Sequence, residues 1–183
     1  MATRSNQRNR IALFGTVRVM AFSAVLAAMS IVCGKYLAFG FGNILRFSFE
    51  NLPVLVAGML FGPLVGAAVG VVADLVGCVL VGYAINPILT VGAALIGGSG
   101  GLIWNVTRRF PYGLRVLLAV AFAHLLGSVL VKTLGLAAFY DMPVGILMLW
   151  RALNYLIVGV AEGVLIYFIM KNKALLSVAQ RRK

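Results

Sequence analysis

Acid is what this chain is shortest of. Its 183 residues hold four Asp and Glu against sixteen Lys and Arg, with one histidine and two cysteines. With so few carboxylates, an intramembrane enzyme would have to rest on Asp74, His124 and Glu162 alone. Those three form no HExxH and no close local cluster, so no metal, no cofactor and no catalytic residue is expected, and structural pairing is the favoured role. Cys33 and Cys78 lie within apolar runs without CxxC spacing and read as small packing residues. A phosphate-binding GxxxxGK[ST] loop is missing too. The glycine run 97–101 lacks the lysine and sits inside an apolar stretch, so this chain does not hydrolyse ATP by itself.

What is abundant is hydrocarbon. Sixty-two per cent of the residues are hydrophobic and 11% charged, more apolar surface than a soluble domain of this size could hide, so lipid is the expected solvent. The net charge of +12 does not imply nucleic acid. Twelve of the basic residues fall in the two tails and the 108–115 loop, where they act as topology signals and contacts for anionic headgroups. The apolar run near the N-terminus continues past Val32 with no small-x-small cleavage site, so it reads as a retained span and not a signal peptide.

About twenty residues cross a bilayer core as a helix. Stretches 17–37, 87–106, 116–138 and 144–170 reach that length. The stretch 52–82 is too long for one span and short for two. A single span would put the 108–115 loop outside. A break at Gly62-Pro63 gives spans 52–61 and 64–82 and leaves all twelve clustered cations on the cytoplasmic side. The expectation is therefore an all-α domain of six transmembrane helices with both termini cytoplasmic and outer loops at 38–51, 83–86 and 140–143.

Four cations stand apart from the clusters: Lys35, Arg46, Lys132 and Arg151. In this topology all four lie toward the outer face. A charge inside a bilayer is expensive and usually faces a cavity, a partner or a ligand, although Lys35 and Arg46 could equally snorkel to headgroups. Asn154 and Tyr155 share a helix face with Arg151, while Asn86 and Thr90 mark the outer N-terminus of the fourth span, as ligand contacts or as a plain cap. The pattern predicts an electropositive outer pocket suited to a small anionic molecule. Small residues recur at four-residue spacing, Ala24 with Ala28 in the first span and Gly62, Gly66 and Gly70 from the break into the third. Such faces serve close packing inside the bundle or docking of a partner, and composition leaves both open.

The chain resembles the substrate-binding S components of energy-coupling factor (ECF) vitamin transporters, and among them the folate-type branch. The resemblance rests on Arg46-Phe47-Ser48-Phe49-Glu50-Asn51-Leu52-Pro53, on Gly58-Met59-Leu60-Phe61-Gly62-Pro63 and on Gly70-Val71-Val72-Ala73-Asp74. Further on, Asn86-Pro87-Ile88-Leu89-Thr90, Lys132-Thr133-Leu134-Gly135 and Arg151 continue it. It implies a prokaryotic plasma-membrane subunit, not an enzyme, that captures a folate-like anionic vitamin outside. Such a subunit then reorients on a transmembrane scaffold subunit carrying two cytoplasmic ATPases. It also implies a pocket at Arg46, Asn86, Thr90, Lys132 and Arg151, with Asn154 and Tyr155 beside it. Docking would run through Ala24 and Ala28, with Gly66 and Gly70 as further small-face positions. Two stretches depart from the family pattern: 84–90 replaces a Phe-Pro-Gly-Phe-Thr-like run, and Lys132 stands where Asn is usual. A different vitamin or a queuosine precursor is the alternative cargo.

Overall fold

The computed structural model describes residues 17–41, 45–140 and 143–171. The tails, with most of the clustered cations, lie outside the described residues, as do positions 141 and 142 in the last outer loop. Helix α1 (Val17–Ile31) runs on into a π-helical turn, Val32–Tyr36. After it come β1 (Phe39–Phe41) and β2 (Leu45–Phe47), then α2 (Asn51–Phe61) and α3 (Pro63–Val81). Helix α4 (Pro87–Val106) precedes a long rod made of α5 (Tyr112–Ala123), a π-helical segment (His124–Val131) and α6 (Lys132–Tyr140). Helix α7 (Val144–Lys171) closes the bundle. Five of these rods are long and apolar enough to cross a membrane, and α2 is a shorter sixth.

The stretch 52–82 divides at the expected place. Gly62 takes a φ of 104°, a backbone that disfavours any side chain, and Pro63 opens α3 with its fixed φ and no N–H to satisfy. Gly82, at φ 73°, ends α3 with its N–H on the Cys78 and Val79 carbonyls. Asn86 caps α4, its side-chain oxygen accepting from Ile88 N at 3.0 Å.

Helix α4 is the hub, packed by α2, α3, α5, the π segment and α6. Leu55, Ile96, Ala119, Ala123 and Ile166 are fully buried around it. A Cβ on Gly66 would sit 2.6 Å from Gly97 O, so the two backbones touch with no side chain between them. Lipid tails are as apolar as leucine, and contacts of this kind, rather than escape from water, hold helices together. The outward faces carry the expected belt, with Val79, Leu102, Leu156, Ile157 and Phe168 exposed.

The 38–51 loop contains more order than an all-α expectation includes. Strands β1 and β2 pair antiparallel, Phe39 opposite Phe47 and Gly40 opposite Arg46, and β2 lies against α7. The hairpin thus spans from the end of α1 to the start of α2 while touching the last helix.

Candidate functional site

Buried charge converges where α1, α2, α3, α4 and α6 meet. A cavity of about 30 Å³ there is lined by Lys35, Glu50, Asn51, Asp74 and Lys132, together with Ser30 and small residues of α3 and α4. Lys132 opens α6 and is only 7% exposed. Its Nζ donates to Glu50 Oε1 at 3.2 Å, an ion pair between residues 82 positions apart. The backbone of Glu50 is itself held, since Ser30 Oγ donates to Glu50 O at 2.6 Å. Across the cavity Thr90 Oγ1 donates to Asp74 Oδ2 at 2.7 Å. Lys35 lies 5.2 Å from the centre of the Tyr83 ring. Asn51 is buried, and its Nδ2 finds no acceptor among the described residues.

Among the described residues this lining balances two cations, Lys35 and Lys132, against two carboxylates, Glu50 and Asp74. The electropositive pocket expected from the sequence also counted Arg46, whose side chain lies outside the described residues, and Arg151. The physical reason for the balance is the cost of the alternative: an unpaired ammonium in a low-dielectric bundle is penalised by several kcal/mol, so the few acids available are drawn to the buried cations.

Arg151 stands beside this cavity and does not line it. Asp74, Tyr155 and Arg151 all lie within electrostatic range of the Lys132 ammonium. Arg151 Nε donates to Ser128 O at 3.3 Å and Nη2 to Tyr155 Oη at 3.4 Å, with the guanidinium carbon 5.4 Å from that ring's centre. Tyr155 stacks on His124, with centroids 5.0 Å apart and planes 25° apart. His124 Nε2 and Glu162 Oε2 are 2.7 Å apart, and His124 Nδ1 and Ser128 Oγ 3.2 Å. Asp74, His124 and Glu162 therefore form no common centre. Asp74 belongs to the cavity above, His124 and Glu162 to a pair of their own, and no cluster of three metal-capable side chains occurs among the described residues.

The other predicted residues divide between roles. Asn86 is buried and doubly used, capping α4 and donating from Nδ2 to Gly135 O at 3.2 Å, which ties α4 to α6. Asn154 is buried one residue before Tyr155. Arg46 sits in β2 opposite Gly40, and its side chain lies outside the described residues. Ala24 and Ala28 are exposed on α1, whereas Gly66 and Gly70 are buried against α4, so their small faces are used within the bundle. Sequence reasoning missed Glu50, Asn51, Ser30 and Ser128. Glu50 could have been found from the scarcity of acid, since a buried lysine needs a counter-ion and few candidates exist.

A larger concavity lies elsewhere. A groove of about 730 Å³ between α3 and α4 is lined by exposed Leu64, Val91, Leu95 and Leu102 and is almost wholly apolar. It suits acyl chains and offers an anion nothing.

Relatives are found across almost the whole length. The folate transporter FolT of Clostridium novyi (strain NT) is 29% identical over 157 residues, covering 82% of this chain and 87% of that one. A crystal structure of FolT bound with folic acid superposes with a TM-score of 0.67 at 25% identity, over 84% of this chain and 93% of the other. The S component of a bacterial ECF transporter superposes with a TM-score of 0.64 at 19% identity, over 89% and 98% of the two chains, and shares the fold. The family model described as "ECF transporter, substrate-specific component" matches residues 18–172. A multi-pass helical bundle with paired charges at one end and this family match over most of its length belongs to the substrate-specific components of ECF transporters, which are transporter subunits and not enzymes.

Proposed function

We propose that this subunit captures folate, or a closely related anionic pterin, at the outer face of a prokaryotic plasma membrane. It then delivers the ligand by reorienting on a scaffold subunit whose two partner ATPases supply the energy. The observation that carries this reading is the likeness to folic-acid-bound FolT over most of both chains. The site chemistry supports it. Folate presents carboxylates and a flat ring edged with donors and acceptors. Lys132 and Arg151 suit the first, and Tyr155, Asn51 and the carboxylates of Glu50 and Asp74 suit the second.

Folate is far larger than a cavity with room for about one water. Its entry requires the Glu50–Lys132 pair to part and the hairpin to lift from α7. A ligand carboxylate then takes Glu50's place on the ammonium, so Lys132 is never left bare. The exposed Ala24–Ala28 face of α1 is the surface offered to the scaffold, where small residues permit close helix approach.

The test is calorimetric titration of the purified subunit in detergent with folic acid, with thiamine and riboflavin as controls. Saturable sub-micromolar binding of folic acid alone is the expected result. Binding of neither folic acid nor any anionic pterin would overturn the reading and turn the search to deazapurines such as queuosine precursors.

A further inference from the structure

The pair His124–Glu162 has no part in the site as described, and it is conspicuous. Glu162, in the second half of α7, is fully buried, and His124 is 4% exposed. A leucine at each position would pack such a bundle at no electrostatic cost, so a buried acid and imidazole call for another reason. The surroundings supply one. Both imidazole nitrogens are committed, Nε2 to Glu162 and Nδ1 to Ser128 Oγ, which fixes the plane of the ring. On that ring rests Tyr155. Arg151 touches both of His124's neighbours, the Tyr155 hydroxyl and the Ser128 carbonyl.

The backbone is built to the same end. His124 and Ser128 both lie in the π-helical segment, a rare wide turn that is frequent at functional sites. At its end the Lys132 N–H reaches back five residues to Gly127 O, and the next carbonyl, that of Ser128, accepts from Arg151. Ser128 is thus gripped from both sides, by His124 at its hydroxyl and by Arg151 at its carbonyl.

We propose that His124, anchored by Glu162, is a positioning residue that fixes the Tyr155 ring and, through Tyr155 and Ser128, the Arg151 guanidinium for the ligand. This rests on the folate reading above and adds to it the two residues that hold Tyr155 and Arg151 in place.

The test is a mutant cycle on the full-length subunit, read by folic acid titration and thermal unfolding in detergent. Replacing both members of the pair, His124→Leu with Glu162→Leu, leaves no unpaired buried charge, so the fold should survive. The expected result is unchanged or raised thermal stability with folic acid affinity about tenfold weaker, the scale on which supporting groups act. The triple variant with Arg151→Met should bind folic acid no more weakly than Arg151→Met alone, because the pair acts through that guanidinium. Parental affinity in the folded Leu pair would overturn the proposal, and so would losses that multiply. If the Leu pair does not fold, His124→Gln carries the same cycle, since it keeps a hydrogen bond to Glu162 and removes the stacked ring. A parent that binds no folic acid would defeat the functional reading and this inference with it, whereas parental affinity in the variants defeats this inference alone.

Discussion

Lys132 and Arg151 differ in what their loss leaves behind. Lys132→Ala removes the cation paired with Glu50 and a direct partner for a ligand anion, while Arg151→Ala takes a donor from a carbonyl and a phenol. Each should weaken folic acid binding by about 2–5 kcal/mol in a calorimetric titration. The Lys132 variant should also unfold at lower temperature, the Arg151 variant much less. Glu50→Gln makes a sharper test. It takes away the charge paired with a buried ammonium, so the ligand-free subunit should lose about 1–3 kcal/mol of stability in thermal unfolding. Folic acid restores a carboxylate to Lys132, so the ligand-induced rise in Tm should be larger in Glu50→Gln than in the parent. An equal rise would mean that the ligand anion does not reach Lys132. Both cations were legible in the sequence because charge is conspicuous among leucines. Their partners were not, because a pair spanning 82 positions leaves no mark in local spacing.

Among the elements, the small-residue faces divide by where they point. Gly97→Ala would drive a Cβ into Gly66 O, backbone that cannot step aside, and should cost about 1–3 kcal/mol in detergent unfolding experiments. Ala24→Trp and Ala28→Trp add bulk at two positions that are exposed among the described residues. They should leave folic acid binding by the isolated subunit intact and abolish uptake in cells carrying the full transporter. Normal uptake would free the α1 face of any docking role. The break at Gly62-Pro63 was legible because those two residues restrict the backbone directly. The π-helical segments were not, since a wide turn made of Leu, Val, Gly and Ser has the same composition as the helix around it. The hairpin of residues 39–47 escaped for a related reason, as three-residue strands are too short for alternation to stand out.

At the scale of the whole molecule, the span count followed from length and from the placement of cations. The apolar faces gave little help, because a helix in lipid is hydrophobic toward its neighbours and its solvent alike. The same composition hid the partners of the cations: the two lysines of the cavity meet two carboxylates in the fold. That balance bears on the electrical work of transport. Lys35, Lys132, Glu50 and Asp74 sum to zero formal charge, so if the subunit turns as a body these four carry no net charge through the membrane potential. Each uncompensated elementary charge would be worth about 2.3 kcal/mol per 100 mV. At this cavity the potential therefore acts on the ligand's own anionic charge and not on the four side chains around it. The cell's voltage would register the ligand there, and hardly register the lining that encloses it.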